Sequence, residues 1–459
     1  GPYHLLDQYQ RGAIAELLGF VWMPLMLGAG EGLMEKGGEG GCRARWGERL
    51  KWVVVLGVSY GGFIWSHPPT AYQYSLGFGV AMMVLGMVRR EWRGLLRVGV
   101  GLGLGVALAA AYILPAVFEQ NLIHKDYILT SWPYHNTYVF VHDIFNAANF
   151  VEFYRRINWL WVLGLAFTIV CGAALLLADK GRGALSADGS TKGIRRLFAY
   201  FERDGLLSAA LKQRVVMWTA LGLFVSLMMH KISRPLGQHI PKIEIGIFTW
   251  RMLAMTTLVT ALLAGACWQT ASQALGQQRR SVSTVLATLS MIILIGGAAF
   301  SLLSVCLPVA RAEVFVPEAE HMNPATLPAT APDPYELPDD APPAELAEDN
   351  GEVFVEKWEP QHRVVRAELT EADQLWIRTF NFPGWTATVD GKPAEIITGE
   401  EFGDIEINLA AGHHEVRLDF LDTPIRRRAE RVTLITFAMI VLMMAASWLL
   451  RLKRSVAPQ

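Results

Sequence analysis

Residues 284–306, TVLATLSMIILIGGAAFSLLSVC, run for 23 positions without a charged side chain. As a helix rising about 1.5 Å per residue, the run extends about 34 Å, enough to cross a hydrocarbon core of about 30 Å. Just beyond it the composition inverts. Residues 317–349, PEAEHMNPATLPATAPDPYELPDDAPPAELAED, are rich in Pro and acid and have no aliphatic period. Such a segment reads as an extended linker.

Working back from 284, further apolar runs fall at about 13–28, 52–65, 72–88, 98–118, 158–178, 215–230 and 248–270. With 284–306 and a last run at 432–450, they predict nine spans. The second, third and sixth are short for a ~20-residue crossing, so their ends run on into flanking residues. Composition agrees: of 459 residues 52% are hydrophobic and 18% charged, against about a quarter charged in a soluble domain. Mean hydropathy is +0.28. The chain is therefore expected to be a polytopic α-helical membrane protein. It has no initiating Met and no signal-peptide pattern, and a further segment is expected upstream of Gly1. Cys42, Cys171, Cys267 and Cys306 lack any CxxC or zinc spacing and read as small buried apolar side chains.

Downstream of the linker the period changes to two. EVFVEKW, RVVRAEL, QLWIRTF, WTATVDGKPAEI, DIEINL and HEVRLDF alternate, with an Asp390-Gly391 turn between strands. This predicts an antiparallel β-sandwich. The expected domains are a transmembrane region 1–306, a linker 307–350, a β-domain 351–430, and a last helix with a basic tail at 431–459.

Charge sets the orientation. Loops 36–51, 89–97 and 179–214, the pair Arg279-Arg280 and the tail 451–454 are all basic. If the spans alternate, they share one side, and the positive-inside rule makes that side cytoplasmic. The opening helix, the loops 66–71, 119–157 and 231–247, and the segment 307–430 are then extracytoplasmic. Arg426, Arg427, Arg428 and Arg431 sit outside the last span against this rule. They either escaped it because a folded domain precedes them, or they meet lipid phosphates.

Ionisable groups gather at the outer ends of the spans, where they mark cavities. In the opening run PYHLLDQYQRGAIAELLGFVWMP, His4, Asp7 and Arg11 share one helical face, and Tyr9, Gly12 and Glu16 another. In SHPPTA, either Pro68-Pro69 simply break the helix and His67 caps its end, or His67 lines a cavity. In YILPAVFEQN, Tyr112 and Glu119 either line a cavity at the outer end of the fourth span, or Pro115 is a simple kink and Glu119 lies in the headgroup region. In IGIFTWRMLAM, Arg251 either snorkels to the interface or holds a lipid phosphate with its planar fork. HNTYVFVHDIF, with His135 and His142, reads as an interfacial helix before a metal site, because third-ligand spacing is missing. The Gly-rich GFGVAMMVLGM and GVGLGLGV lie inside spans and read as close helix packing.

YHLLDQYQRGAIAELLGFVWMP, SHPPTA, YILPAVFEQN and FTWRMLA resemble the motifs of the bacterial 6-pyruvoyl-tetrahydropterin synthase-related membrane domain family. That family resembles the GT-C class of membrane glycosyltransferases. FNFPGWTATVDGKPAEI…LAAGHHEVRLDF is similar to the small outer β-domain of related proteins. The three-His ligand set of a true pterin synthase is missing, so no pterin chemistry is expected. The resemblance implies a GT-C-like protein of the bacterial inner membrane. It would transfer a sugar from a polyprenyl-phosphate-linked donor to a glycan, lipid or protein acceptor.

On that reading Arg11, Arg251, Lys231 and Arg234 bind phosphate, while Asp7 and Glu16 stand in for the catalytic carboxylate. Tyr3, His4, Tyr9 and His67 line the cavity with Tyr112, Glu119 and Trp250. The usual acidic motif of such enzymes is expected upstream of Gly1. A divalent cation, Mg or Mn, is the cofactor to look for; membrane lipids are expected partners and nucleic acid is not. The rival reading is a non-catalytic protein that exports or assembles envelope polymer and holds lipid phosphate in the same cavity. For Asp7 the competing account is a local Asp7–Arg11 pair, worth about 0.2–0.5 kcal/mol.

Overall fold

The structure is a computed structural model that describes residues 3, 13–35, 42–124, 137–140, 148–183, 200–202, 204–240, 243, 248–306, 327–331 and 342–455. His4, Asp7, Tyr9, Arg11, His135 and His142 lie outside the described residues. Every apolar run falls on a helix. These are α1 (Ile14–Leu33), α2 (Cys42–Ser66), α3 (Pro68–Arg89), α4 (Trp92–Leu108), α5 (Ala110–Phe118), α6 (Ala148–Gly183), α7 (Ala209–Met229), α8 (Leu253–Gly276), α9 (Arg280–Ser301) and α10 (Pro424–Ser455). Among the described residues, six helices are long and apolar enough to cross a membrane, and α4 with α5, broken at Ala109, would make a seventh. Helices α2 and α7 fall short of that standard because charge occupies their first turns. Arg43, Arg45, Glu48, Arg49 and Lys51 open α2, and Lys212 and Arg214 open α7.

The chain divides into two compact units. One, mainly helical, comprises 1–109, 132–317 and 436–459; the other comprises 110–131 and 318–435. Residues 110–131, expected within the transmembrane region, thus group with the β-domain.

In the helical unit, local sequence sets the helix starts. His67 caps α3, its Nδ1 accepting from the Thr70 N–H at 3.3 Å, with Pro68-Pro69 in the first turn where no N–H is needed. Ser208 caps α7 by accepting from Leu211 N–H at 3.2 Å. Helices α2 and α4 cross at Gly57, Gly61, Gly101 and Gly105. A Cβ on Gly105 would lie 2.9 Å from the Gly57 carbonyl oxygen, so small residues permit the contact. The Gly-rich stretch is helix packing, as its position inside a span implies. Tyr74 is buried between Phe63 and Phe78 and donates to the Met23 carbonyl at 2.7 Å. Large apolar side chains face outward on α9 and α10, with Ile295 60% and Leu442 70% exposed; that is a surface suited to lipid. Cys171 and Cys267 are buried as expected, but Cys306 is exposed. Thr137–Phe140, in the segment read as an interfacial helix, instead form a bend in which Val139 bridges His230.

Among the described residues the second unit has nine strands: β1 (Ala344–Leu346), β2 (Gly351–Glu359), β3 (His362–Leu369), β4 (Asp373–Phe380), β5 (Trp385–Val389), β6 (Lys392–Ala394), β7 (Ile397–Thr398), β8 (Asp404–Leu409) and β9 (Gly412–Phe420). They form two sheets, ordered β1-β4-β8-β7 and β2-β3-β9-β5-β6, with every paired neighbour antiparallel. Val365, Ala367 and Leu369 of one sheet share a core with Leu375, Ile377, Ile405 and Ile407 of the other. The period-two pattern therefore yields a β-sandwich. Asp390 and Gly391 both take positive φ, 52° and 75°, as a tight hairpin turn between β5 and β6 requires. Strand β1 lies within the segment that reads as linker, since three residues are too few to show a period.

Candidate functional site: a buried Glu16–Arg251 pair

Glu16 lies in the first turn of α1 and is wholly buried. Its Oε2 is 3.3 Å from Arg251 Nε, and its Oε1 accepts from the Tyr3 hydroxyl at 2.9 Å. Arg251 is 8% and Tyr3 1% exposed. A lone buried charge is costly, so carboxylate and guanidinium make each other tolerable in the interior.

Arg251 sits on a 3₁₀ turn, Thr249–Met252, that leads into α8. Hydrogen bonds hold this turn from two directions. The Gln73 side-chain amide, on α3, donates to the Phe248 carbonyl at 3.0 Å. Thr249 N–H donates to Thr137 Oγ1 at 3.1 Å, and the Thr249 hydroxyl donates to the Thr137 carbonyl. Aromatic rings fill the space beside it. Phe248 stacks on Trp250 at 4.4 Å, Tyr154 meets Trp250 edge-on at 5.3 Å, and the Arg251 guanidinium lies 4.8 Å from the Phe248 ring centroid. Arg251 is thus fixed within a packed frame, which excludes snorkelling as its account.

The pairing bears on chemistry. Each Glu16 oxygen already serves a partner, so in this arrangement Glu16 positions Arg251 and is poorly placed to take a proton. His67 caps a helix, but the start of α3 and not, as expected, the end of the helix that the prolines break. Trp250 is part of the aromatic frame. Lys231 and Arg234 are exposed on the turn after α7, and neither forms an ion pair among the described residues. Tyr112 and Glu119 belong to the other unit. There Glu119 binds Arg426 at 2.9 and 3.0 Å and accepts from the Thr423 hydroxyl at 2.5 Å. It is therefore occupied as a counter-ion and does not join the Arg251 cluster. The same pair gives Arg426, from the basic cluster that broke the orientation rule, a protein partner.

The other end of the helical unit has a different character. Glu31, 15 residues after Glu16 on α1 and so about 22 Å along it, pairs with Arg214 at 2.7 Å. Arg89 donates to the Glu31 carbonyl and to Gln213, and Arg97 to the Leu33 carbonyl. Lys212 and Asp179, both buried, pair at 2.9 Å, and Asp179 also accepts from Leu207 N–H.

Sequence reasoning found Arg251, Glu16, Tyr3 and Trp250 but missed Gln73, Thr137 and Thr249, which hold the turn. Thr249 and Thr137 are 112 residues apart, and neither carries a local signal. Among the described residues, no group of three or more His, Cys, Asp or Glu side chains is placed to hold a metal ion. Comparisons with family models, with curated proteins and with solved structures returned no match to this chain.

Proposed function

We propose that this chain is a GT-C-like glycosyltransferase of a bacterial inner membrane, with nine spans. Its basic helix ends would lie in the cytoplasm, and the Glu16–Arg251 end and residues 307–430 outside. The observation that carries the reading is the buried, clamped Arg251. A guanidinium fixed by Glu16, with the turn it sits on tied to Gln73 and Thr137, is prepaid in conformational entropy for gripping phosphate oxygens. Arg89, Arg97, Lys212 and Arg214 at the opposite end of the unit support the orientation.

In the proposed reaction an acceptor hydroxyl attacks the anomeric carbon of a polyprenyl-phosphate-linked sugar. The bond from that carbon to the phosphate oxygen breaks, and polyprenyl phosphate leaves, its charge met by Arg251. The acceptor proton passes to a carboxylate other than Glu16, a role for which Asp7, outside the described residues, is the candidate. One observation favours a second reading, a non-catalytic protein that holds lipid phosphate during envelope-polymer export or assembly: both oxygens of the described carboxylate nearest Arg251 are engaged.

Full-length protein in liposomes, supplied with labelled polyprenyl-phosphate sugars and a mixed acceptor pool, tests the choice. Turnover lost in Arg251→Gln supports the transferase. Donor binding without turnover supports the second reading. Equal turnover by wild type and Arg251→Gln removes the role of Arg251.

A further inference from the structure

The β-sandwich has a cavity of about 420 Å³ at one end of its strands, lined by both sheets. Local sequence opens it. The β4–β8 register slips between Ile377 and Phe380, releasing Arg378 and Thr379 from the regular ladder. The following FNFPGW turn folds tightly at Gly384, where φ is +127° and a Cβ would approach the Leu421 carbonyl to 2.7 Å. That turn delivers Phe382 and Trp385 to the cavity wall, where Phe402 and Phe420 join them.

The polar groups of this cavity are unfinished. Arg363 Nε and Nη1, Arg378 Nε and Thr379 Oγ1 are buried and have no hydrogen-bond partner among the described residues. Arg378 is otherwise neutralised by Asp404 at 3.0 Å and by Glu345. Arg363 forms no ion pair among the described residues and keeps aromatic company, with its guanidinium 4.0 Å from the Trp358 ring centroid and 5.2 Å from that of Trp385. Burial pushes its pKa down from the ordinary value, the mark of a cation short of a counter-charge. Buried polar atoms in native proteins are nearly all paired. Four orphans on the wall of one cavity therefore call for a ligand rich in acceptors.

We propose that this cavity binds a sugar ring bearing an oxyanion, either the carboxylate of a uronic acid or the phosphate of a sugar phosphate. The Arg363 fork takes the oxyanion after a turn of its terminal torsions. Thr379 and Arg378 Nε take ring hydroxyls, and the Trp385 and Phe382 rings pack the apolar face of the sugar. The cavity volume falls within the range of about 300–1,000 Å³ for small-molecule sites. Binding here is independent of the role given to Arg251.

Ligand-observed NMR titration of the full chain in nanodiscs tests it, with glucuronate, glucose 6-phosphate, glucose, inorganic phosphate and N-acetylphenylalanine as probes. Glucuronate or glucose 6-phosphate should bind at least about tenfold tighter than glucose, as expected for a hydrogen bond to a charged group. Whichever of the two binds tighter identifies the source of the oxyanion. Arg363→Gln should erase the preference over glucose. Thr379→Val, which removes an already unpaired hydroxyl at constant shape, should melt like wild type yet weaken binding by about 2- to 10-fold. Equal affinity for glucose and the anionic sugars, or an undiminished preference in Arg363→Gln, overturns the proposal. So does binding of inorganic phosphate or N-acetylphenylalanine as tight as that of the sugars, or no binding of any probe.

Discussion

The two ends of the helical unit each hold a buried ion pair, and the pairs differ in how they are supported. Lys212–Asp179 joins neighbouring parts of the chain, and Asp179 is further satisfied by Leu207 N–H. Its partners tie α6, the segment before α7 and the start of α7 to one another, which is the work of a structural clasp. Glu16–Arg251 instead joins α1 to the turn before α8, a turn held by separate bonds from Gln73 and Thr137 and backed by stacked rings. Support of that kind fixes one side chain more firmly than stability alone demands. The difference separates a pair that holds the fold from a pair that holds a cation in place.

The strongest way to break this distinction is to open each pair alone. Lys212→Met leaves Asp179 buried and uncompensated, and should cost about 3–5 kcal/mol. Thermal melting of the full chain in detergent reads that loss, and Lys212→Met with Asp179→Leu should recover most of it. Arg251→Gln combined with Glu16→Gln keeps the other site neutral. It should melt within about 1 kcal/mol of wild type, the scale of a neutral hydrogen bond, while losing phosphate binding. A double variant that melts as low as Lys212→Met alone would make both pairs structural.

Gly105→Leu drives a side chain into the Gly57 carbonyl and should cost about 1–3 kcal/mol or more through overpacking. A lowered melting temperature and less monodisperse protein are the readouts. Arg214→Ala opens a pair whose Arg is 37% exposed and should cost about 1 kcal/mol or less.

The smallest effect lies in the second unit. The Asp390 carboxyl sits below its ordinary value, because Glu415 N–H donates to it and His414 lies beside it. Its folded pKa is depressed, so its contribution to stability is present above the unfolded value and lost as pH falls through the folded one. Asp390→Asn should therefore melt slightly below wild type at neutral pH and converge with it in acid, flattening the acid limb of the melting curve.

Much of this was legible in sequence because it depends on composition over short windows. The apolar runs became helices, and the alternating runs became strands around one core. The break at Pro68-Pro69 was legible too, although His67 caps the helix that follows and not the one that ends. The rest depends on distant partners. Glu16 could be matched from sequence to neighbours on its own helix, such as those in the opening run, whereas its structural partner lies before α8. Glu119 read as a cavity or headgroup residue beside Pro115, but its counter-ion Arg426 lies at the start of the last helix. The unpaired atoms of Arg363 and Thr379 had no signature at all, since a missing partner leaves no mark on the residues that lack it.

The central claim, that Arg251 is held for a lipid phosphate, is tested most directly by comparing polyprenyl phosphate with its uncharged alcohol. Binding is measured on the full chain in nanodiscs, for wild type and for the double variant Glu16→Gln, Arg251→Gln. Wild type should prefer the phosphate by about tenfold or more, as an Arg–phosphate contact implies, and the double variant should bind the two lipids alike. Equal binding of both lipids by wild type, or a preference that survives in the double variant, would contradict it.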